Sequence, residues 1–309
     1  MKTKLFLVTP PFTQLNTPYP ATAYIKGFLN TKNIDSVQAD LGIEVILALF
    51  SKKGLGDLFE ASSVASQIET WSENARRIFA LQDEYVKTIN SVIAFLQGKN
   101  PTLALQICQE DFLPEASRFA QLEELDWAFG TMGTQDKAKH LATLYLEDIS
   151  DFIVECIDPN FGFSRYAERL GRSANSFDEL YAALQQQLTY IDTLLLSILK
   201  VKIETIQPTA FLISVPFPGN LYAAFRSAQW LKKHYPEIKI LMGGGFANTE
   251  LRSLSDERVF EFFDFISLDD GELPLELIIE NIESGSNAEF KRTFLLENGK
   301  VVYKNNTLR

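Results

Sequence analysis

The feature that most constrains the fold is an alternation of strands and helices near both ends of the chain, which is absent from the middle. A buried strand at residues 4–9 stops at Pro10 and Pro11, because proline lacks the N–H group that a central strand needs. The remaining strand patterns lie at residues 34–39, 210–215, 239–242 and 263–268, and the helical patterns between them at residues 20–30, 221–234 and 273–282. This alternation predicts an α/β fold with a doubly wound, Rossmann-like sheet of five parallel strands.

Between these two blocks, apolar residues recur at helical spacing over residues 44–207. We therefore expect a discontinuous sheet domain at residues 1–43 and 208–289, interrupted by a large all-helical insertion. Ser176 and Glu179 match a capping box, and this predicts one long helix that continues to about residue 206. Residues 290–309 contain Asn298-Gly299, a strong hairpin signal, and are predicted to form a β-hairpin or linker.

The formal net charge of −11 argues against nucleic acid as a partner, because a phosphate backbone is bound through a basic surface. The apolar run at residues 5–8 is too short for a signal peptide or a membrane span, and Pro10 and Pro11 follow it. We expect a cytoplasmic protein that does not bind membranes. The two cysteines and two histidines are not at metal-ligand spacing, so no local zinc or iron–sulfur site is predicted.

Ligands of open parallel sheets bind in the crevice outside the carboxyl ends of the strands. This rule selects the loops after the first, third, fourth and fifth predicted strands. The candidate ligand-binding residues in them are Pro10, Pro11, Phe12, Thr13, Ser214, Val215, Pro216, Phe217, Gly219, Asn220, Gly243, Gly244, Gly245, Phe246, Asp269, Gly271 and Glu272. The glycine run is not a dinucleotide fingerprint, since the third glycine position of that motif is occupied by Asn248.

Two of these loops resemble those of cobalamin-binding domains of the methionine-synthase type. Ser214-Val-Pro216 is similar to the S-x-L element after the third strand, and Gly243-Gly244 or Gly244-Gly245 to the Gly-Gly element after the fourth. More closely, residues 1–43 and 208–309 resemble the N-terminal domain of cobalamin-binding radical SAM proteins. The segments that carry this resemblance are Val8-Thr-Pro-Pro-Phe12, Pro18-Tyr-Pro-Ala-Thr-Ala-Tyr24, Met242-Gly-Gly-Gly-Phe-Ala247, Asp269-Asp-Gly-Glu272 and the C-terminal hairpin.

The resemblance implies a cobalamin-binding module that is not catalytic alone. The chain lacks the D-x-H-x-x-G element after the first strand, so a bound cobalamin is expected base-off, without a histidine ligand. It also lacks C-x-x-x-C-x-x-C, so S-adenosylmethionine and a 4Fe-4S cluster are expected only in a radical SAM barrel that follows in cis. The reaction would be a methyl transfer or a radical rearrangement on an unknown small-molecule or peptide substrate.

Other functions remain open. The altered Asp269-Asp-Gly-Glu272 and the missing histidine also fit a docking or substrate-recognition module that has lost cobalamin binding. A nucleotide- or sugar-nucleotide-dependent transferase is a third alternative, although the loops offer no catalytic pair beyond Asp269, Asp270 and Glu272. Each signal also has a purely structural explanation: the glycines as a tight turn, Ser214 as a partner of its own turn, and Glu272 as a favourable charge at a helix start.

Overall fold

The computed structural model describes residues 3–15, 17–64, 68–109, 111–124, 133–172, 176–285 and 289–305. The chain divides into two compact units, Met1–Val45 with Phe163–Arg309, and Ile46–Gly162. The first unit contains the sheet. It also includes residues 163–207, which the sequence pattern assigns to the helical insertion.

Among the described residues, the sheet has seven strands in the order β2-β1-β3-β4-β5-β6-β7. The strands are β1 (Lys4–Thr9), β2 (Asp35–Asp40), β3 (Ala210–Ser214), β4 (Lys239–Gly243), β5 (Phe265–Ser267), β6 (Thr293–Glu297) and β7 (Lys300–Lys304). The first five pair in parallel, whereas β6 pairs antiparallel to β5 and β7 antiparallel to β6. The predicted α/β class with a mostly parallel sheet is confirmed.

The predicted strand count of five is wrong, because the C-terminal hairpin is part of the same sheet. Asn298 and Gly299 have positive φ angles of 52° and 72°, as the tight turn between β6 and β7 requires. Phe294 of β6 pairs with Ile266 of β5. This pairing covers the backbone groups that would otherwise leave β5 as an unpaired edge.

The described helices are α1 (Ala21–Thr31), α2 (Leu41–Leu49), α3 (Lys52–Val64), α4 (Glu73–Ala80), α5 (Gln82–Leu96), α6 (Ala104–Ile107), α7 (Thr134–Cys156), α8 (Glu168–Arg172), α9 (Asp178–Leu184), α10 (Tyr190–Ile206), α11 (Leu221–His234), α12 (Gly245–Glu250) and α13 (Glu272–Ser284). Short 3₁₀ turns lie at Ile68–Thr70, Pro101–Leu103, Ser117–Glu124, Pro218–Asn220 and Glu257–Glu261. None of the helices described is both long enough and apolar enough to cross a membrane.

The unit Ile46–Gly162 is helical, as its apolar spacing predicts. Its core includes an aromatic cluster in which Phe152 packs against Phe59 and Trp71, with ring centroids 5.2 and 5.5 Å apart. The buried carboxylate of Asp148 accepts hydrogen bonds from the backbone N–H groups of Ala116 and Arg118. That carboxylate ties the irregular segment before α7 to the helix itself.

The predicted single helix from Ser176 to residue 206 is wrong. Ser176 accepts a hydrogen bond from the backbone N–H of Asp178, and the helix it precedes, α9, ends at Leu184. The capping box forms instead at Thr189 and Asp192, where each side chain accepts the backbone N–H of the other residue at 3.0 and 3.2 Å. The signal Thr189-Tyr-Ile-Asp192 satisfies the same capping rule and starts α10.

A buried ion pair joins α10 to α11. Asp192 and Arg226 have side-chain exposures of 0% and 2%, and their Oδ2 and Nε atoms are 3.1 Å apart. Tyr222 donates its hydroxyl to Asp192, and Arg226 also donates to the backbone oxygen of Leu184. Because a buried charge without a partner is strongly unfavourable, this pair fixes how the two helices pack.

We predict that Asp192→Asn lowers the free energy of unfolding by about 3–5 kcal/mol, because it leaves the Arg226 guanidinium buried without a counterion. Chemical denaturation followed by circular dichroism measures the change. Asp57→Asn removes an exposed ion pair with Lys53 and should cost less than about 1 kcal/mol. Equal losses in the two variants would contradict the role given to the buried pair.

Candidate functional site

The described part of the chain contains a cavity of about 330 Å³ at the carboxyl ends of β3, β4 and β5, which we call the β3–β5 pocket. Helices α1 and α13 supply its other walls, in each case through residues of one helix face. It is lined by Ala21, Tyr24, Ile25, Leu212, Ser214, Gly243, Gly244, Ser267, Asp269, Asp270, Gly271, Glu272 and Leu275.

The buried part of the lining is mostly apolar and carries one hydroxyl. Leu212 and Leu275 are 8% and 3% exposed, and both belong to the core cluster between the sheet and helices α1 and α13. Ser214, the last residue of β3, is 7% exposed. No hydrogen bond of its hydroxyl is present within the described residues. The pocket therefore offers an apolar space with the Ser214 hydroxyl in its buried part, and Ser267 and Tyr24 add two further hydroxyls to the lining.

Acidic residues form the exposed part of the lining. Asp269 pairs with Arg252, and its backbone N–H donates to Asn248 Oδ1 at 2.6 Å. Asp270 is 89% exposed at its side chain, and its backbone oxygen accepts a hydrogen bond from Arg292 at 3.1 Å. These two carboxylates thus have cationic neighbours.

Glu272 is the third acid and lies in the first turn of α13. It has no ion pair within the described part of the chain. Hydrogen bonding to the Glu272 carboxylate, and its negative charge, raise the pKa of the Tyr24 hydroxyl. Tyr24 therefore remains a protonated donor toward Glu272 at neutral pH.

Three glycines at the carboxyl end of β4 have little space for a side chain. Gly244 has a φ angle of 104°, and a Cβ on it would lie 2.6 Å from the backbone oxygen of Val215. A Cβ on Gly245 would lie 2.8 Å from the backbone oxygen of Pro216, and one on Gly243 would lie 2.9 Å from Ser267 Oγ. Gly244 and Gly245 therefore let the loops after β3 and β4 pack together, and Gly244 forms part of the pocket wall.

The loop after β1 lies in a separate buried cluster. Phe12 is fully buried and packs edge-on against Tyr166, with ring centroids 5.9 Å apart. The backbone oxygen of Pro10 accepts a hydrogen bond from the side chain of Asn220 at 2.7 Å. Tyr166 in turn donates toward the buried carboxylate of Asp192. This loop is therefore anchored to the Asp192–Arg226 pair and is not part of the pocket lining.

Of the residues predicted to bind a ligand, the structure brings Ser214, Gly243, Gly244, Asp269, Gly271 and Glu272 together in the pocket. The lining does not include Pro10, Pro11, Phe12, Thr13, Val215, Pro216, Phe217, Gly219, Asn220, Gly245 or Phe246. Phe217 is 54% exposed and packs against Tyr19. Gly219 lies so close to Arg165 that a Cβ would be 2.9 Å from the Arg165 Cβ.

The sequence pattern misses the pocket residues that come from helix faces. Ala21, Tyr24 and Ile25 are spaced by three and four residues on α1, and Leu275 lies three residues after Glu272 on α13. Such spacing marks a helix face that packs on the sheet. The cavity between these two helix faces results from the tertiary packing. It cannot be predicted from the positions of apolar residues along the sequence.

Comparisons of this chain with protein-family models, with curated proteins and with solved structures find no match. Within the described residues, no group of three or more His, Cys, Asp or Glu side chains is placed to hold a metal ion.

We predict that Gly244→Ala destabilises the protein by about 3 kcal/mol, because it combines a left-handed backbone with a clash against Val215. The matched control is Gly27→Ala in α1, where a Cβ meets nothing within 4 Å and should stabilise the helix by up to about 1 kcal/mol. Thermal and chemical unfolding measure both changes. A Gly244→Ala protein as stable as the unaltered chain would show that this close approach is not required.

Proposed function

We propose that this chain is the cobalamin-binding module of a radical SAM enzyme, with a doubly wound, Rossmann-like sheet. The observation that carries the proposal is the β3–β5 pocket, which is lined by both elements that suggest cobalamin, Ser214 and Gly243-Gly244. The strand order β2-β1-β3-β4-β5 supports it, since ligands of such parallel sheets bind outside the carboxyl ends of the strands.

The pocket suits one part of a cobalamin. Small-molecule pockets span roughly 300–1,000 Å³, so a cavity of about 330 Å³ would take the nucleotide tail and not the whole cofactor. Leu212 and Leu275 would contact the flat apolar base of that tail. The Ser214 hydroxyl would donate to, or accept from, a polar atom at the edge of that base.

No histidine is among the residues that line this pocket. His234 lies on α11 and its Nδ1 atom is 2.8 Å from the backbone oxygen of Trp230. We therefore propose a base-off cobalamin without a histidine ligand from this pocket. When bound, cobalamin supplies the chemistry of methyl transfer or radical rearrangement. The residues of this chain hold the cofactor and exclude water from its tail.

The reaction itself would need a radical SAM barrel in cis, with S-adenosylmethionine and a 4Fe-4S cluster. The substrate of that barrel would be a small molecule or a peptide. This part of the proposal rests on the resemblance of residues 1–43 and 208–309 alone.

One observation favours the alternative of a docking or substrate-recognition module without cobalamin. The space beside Gly244 and Gly245 is filled by the backbone of Val215 and Pro216. These glycines are therefore explained without any ligand. In that case the pocket would be what is left of a lost cofactor site, and the chain would bind its partner or substrate through its surface.

A direct test mixes the protein with hydroxocobalamin, removes free cofactor by gel filtration and records the visible spectrum. We expect the unaltered chain to retain cobalamin. Gly271→Leu should reduce retention at least about tenfold, because its side chain would project toward Ile25 in the pocket and its φ angle of −76° accepts leucine without strain.

The matched control is Gly27→Leu, a substitution of the same size on an exposed face of α1. It should retain cobalamin as the unaltered chain does. A folded chain that retains no cobalamin would overturn the proposal in favour of the docking module.

A further inference from the structure

We propose that the chain has a second ligand site, a pocket beside α12 that binds an apolar molecule with a protonated amino group at one end. The pocket has a volume of about 320 Å³ and belongs entirely to the unit that contains the sheet. We call it the α12 pocket, because α12 and residues 251–259 after it supply about half of its lining, and α8, α9 and α11 supply other walls. None of its lining residues also lines the β3–β5 pocket. This inference goes beyond the proposed function and does not depend on cobalamin.

The inner part of the α12 pocket is apolar and aromatic. Phe177 lies at one wall and packs against Phe225, with ring centroids 5.1 Å apart. Small-molecule pockets are lined mainly by such side chains and have volumes from roughly 300 Å³ upward. The inner part therefore suits an aromatic ring or an alkyl chain. The buried residues that line it are 2–6% exposed and are Leu180, Leu221, Phe225, Phe246 and Val259.

Polar contacts hold α9, one wall of the pocket, at both of its ends. At the C-terminal end, the buried guanidinium of Arg226 donates to the backbone oxygen of Leu184 at 2.8 Å. At the N-terminal end, Arg258 pairs with Asp178 at 2.8 Å and lies over the ring of Phe177, 5.5 Å from its centroid. Because these contacts position α9 without filling the pocket, the cavity exists before a ligand binds. A preformed site loses less conformational entropy on binding.

The charges at the mouth of the pocket decide which head group the ligand carries. Asp256 has a cationic neighbour, since its carboxylate is 2.6 Å from the guanidinium of Arg258. Glu250, the last residue of α12, is exposed and has no ion pair within the described part of the chain. No lysine, arginine or histidine is among the described lining residues. Glu250 therefore attracts a cationic head group and repels an anionic one.

Two hydroxyl groups lie at the same mouth. Ser253 and Ser255 are both exposed members of the lining and follow α12 closely in the chain. A protonated primary amine donates three hydrogen bonds, and a carboxylate and two hydroxyls are all able to accept them. The lining thus has an apolar end and a hydrogen-bond-accepting end, which together match an arylalkyl or alkyl amine.

The test for the site itself follows N-phenyl-1-naphthylamine, an uncharged aromatic probe whose fluorescence rises in apolar surroundings. We expect the unaltered chain to bind this probe saturably. Leu254→Trp enlarges a half-buried side chain of the lining. It should weaken probe binding at least about tenfold, because the indole ring takes up the space of the ligand.

The matched control is Leu188→Trp, the same substitution at a residue that is 51% exposed and outside the described lining. Gly271→Leu, which narrows the β3–β5 pocket, is a second control. Both variants should bind the probe as the unaltered chain does. Thermal unfolding verifies that each variant is folded.

The test for the amino group measures how well 4-phenylbutylamine and 4-phenylbutyrate displace the probe. These two molecules share their apolar part and carry opposite charges at neutral pH. In about 0.15 M salt, which screens distant charges, we expect the amine to bind at least about fivefold more tightly. Glu250→Gln keeps the shape of the side chain and should reduce this preference to less than about twofold. Glu257→Gln, outside the described lining, should leave the preference unchanged.

Each part of the proposal has an outcome that would overturn it. The site is wrong if the unaltered chain does not bind the probe saturably, or if Leu254→Trp binds it as well as the unaltered chain does. The amino group is wrong if the amine and the carboxylate bind equally, or if Glu250→Gln keeps the full preference. Cobalamin retention is measured separately, so the proposed function stands or falls independently of these results.

Discussion

The candidate site depends on the close approach of two main-chain segments. Residues 243–245 pack so tightly against residues 215 and 216 that Cβ atoms on Gly244 and Gly245 would overlap with backbone oxygens. This contact places the ends of β3 and β4 side by side and gives the pocket a wall without side chains.

A second set of contacts holds the loops on the other side of β3. The Asp192–Arg226 pair is completely buried, and Tyr166 connects it to Phe12 in the loop after β1. Residues that look like ligand contacts in the sequence, such as Pro10 and Asn220, are therefore used to bind one loop to another. Burial of an ion pair gives these contacts one favoured arrangement, because any other would leave a charge unpaired.

Local patterns predict much of the fold. The bounds of β1 and α11 agree with the apolar patterns at residues 4–9 and 221–234, and the hairpin forms at Asn298-Gly299. The patterns do not predict which strands pair or which helix faces pack against each other. The hairpin joins β5 through contacts distant in sequence, and Tyr24 lines the pocket because α1 and α13 stand apart on the sheet. The spacing of apolar residues predicts which face of an element is buried, but not which other element that face packs against.

The order of the strands along the chain also has a consequence for biosynthesis. In the sheet β1 lies between β2 and β3, yet about 200 residues separate Thr9 from Ala210. A ribosome that adds residues from the N-terminus releases β1 and β2 long before β3, the second neighbour of β1, exists. At roughly 5–20 residues per second, this interval lasts about 10–40 s. During that time one edge of β1 has no strand to pair with, so the nascent chain is exposed to aggregation through that edge.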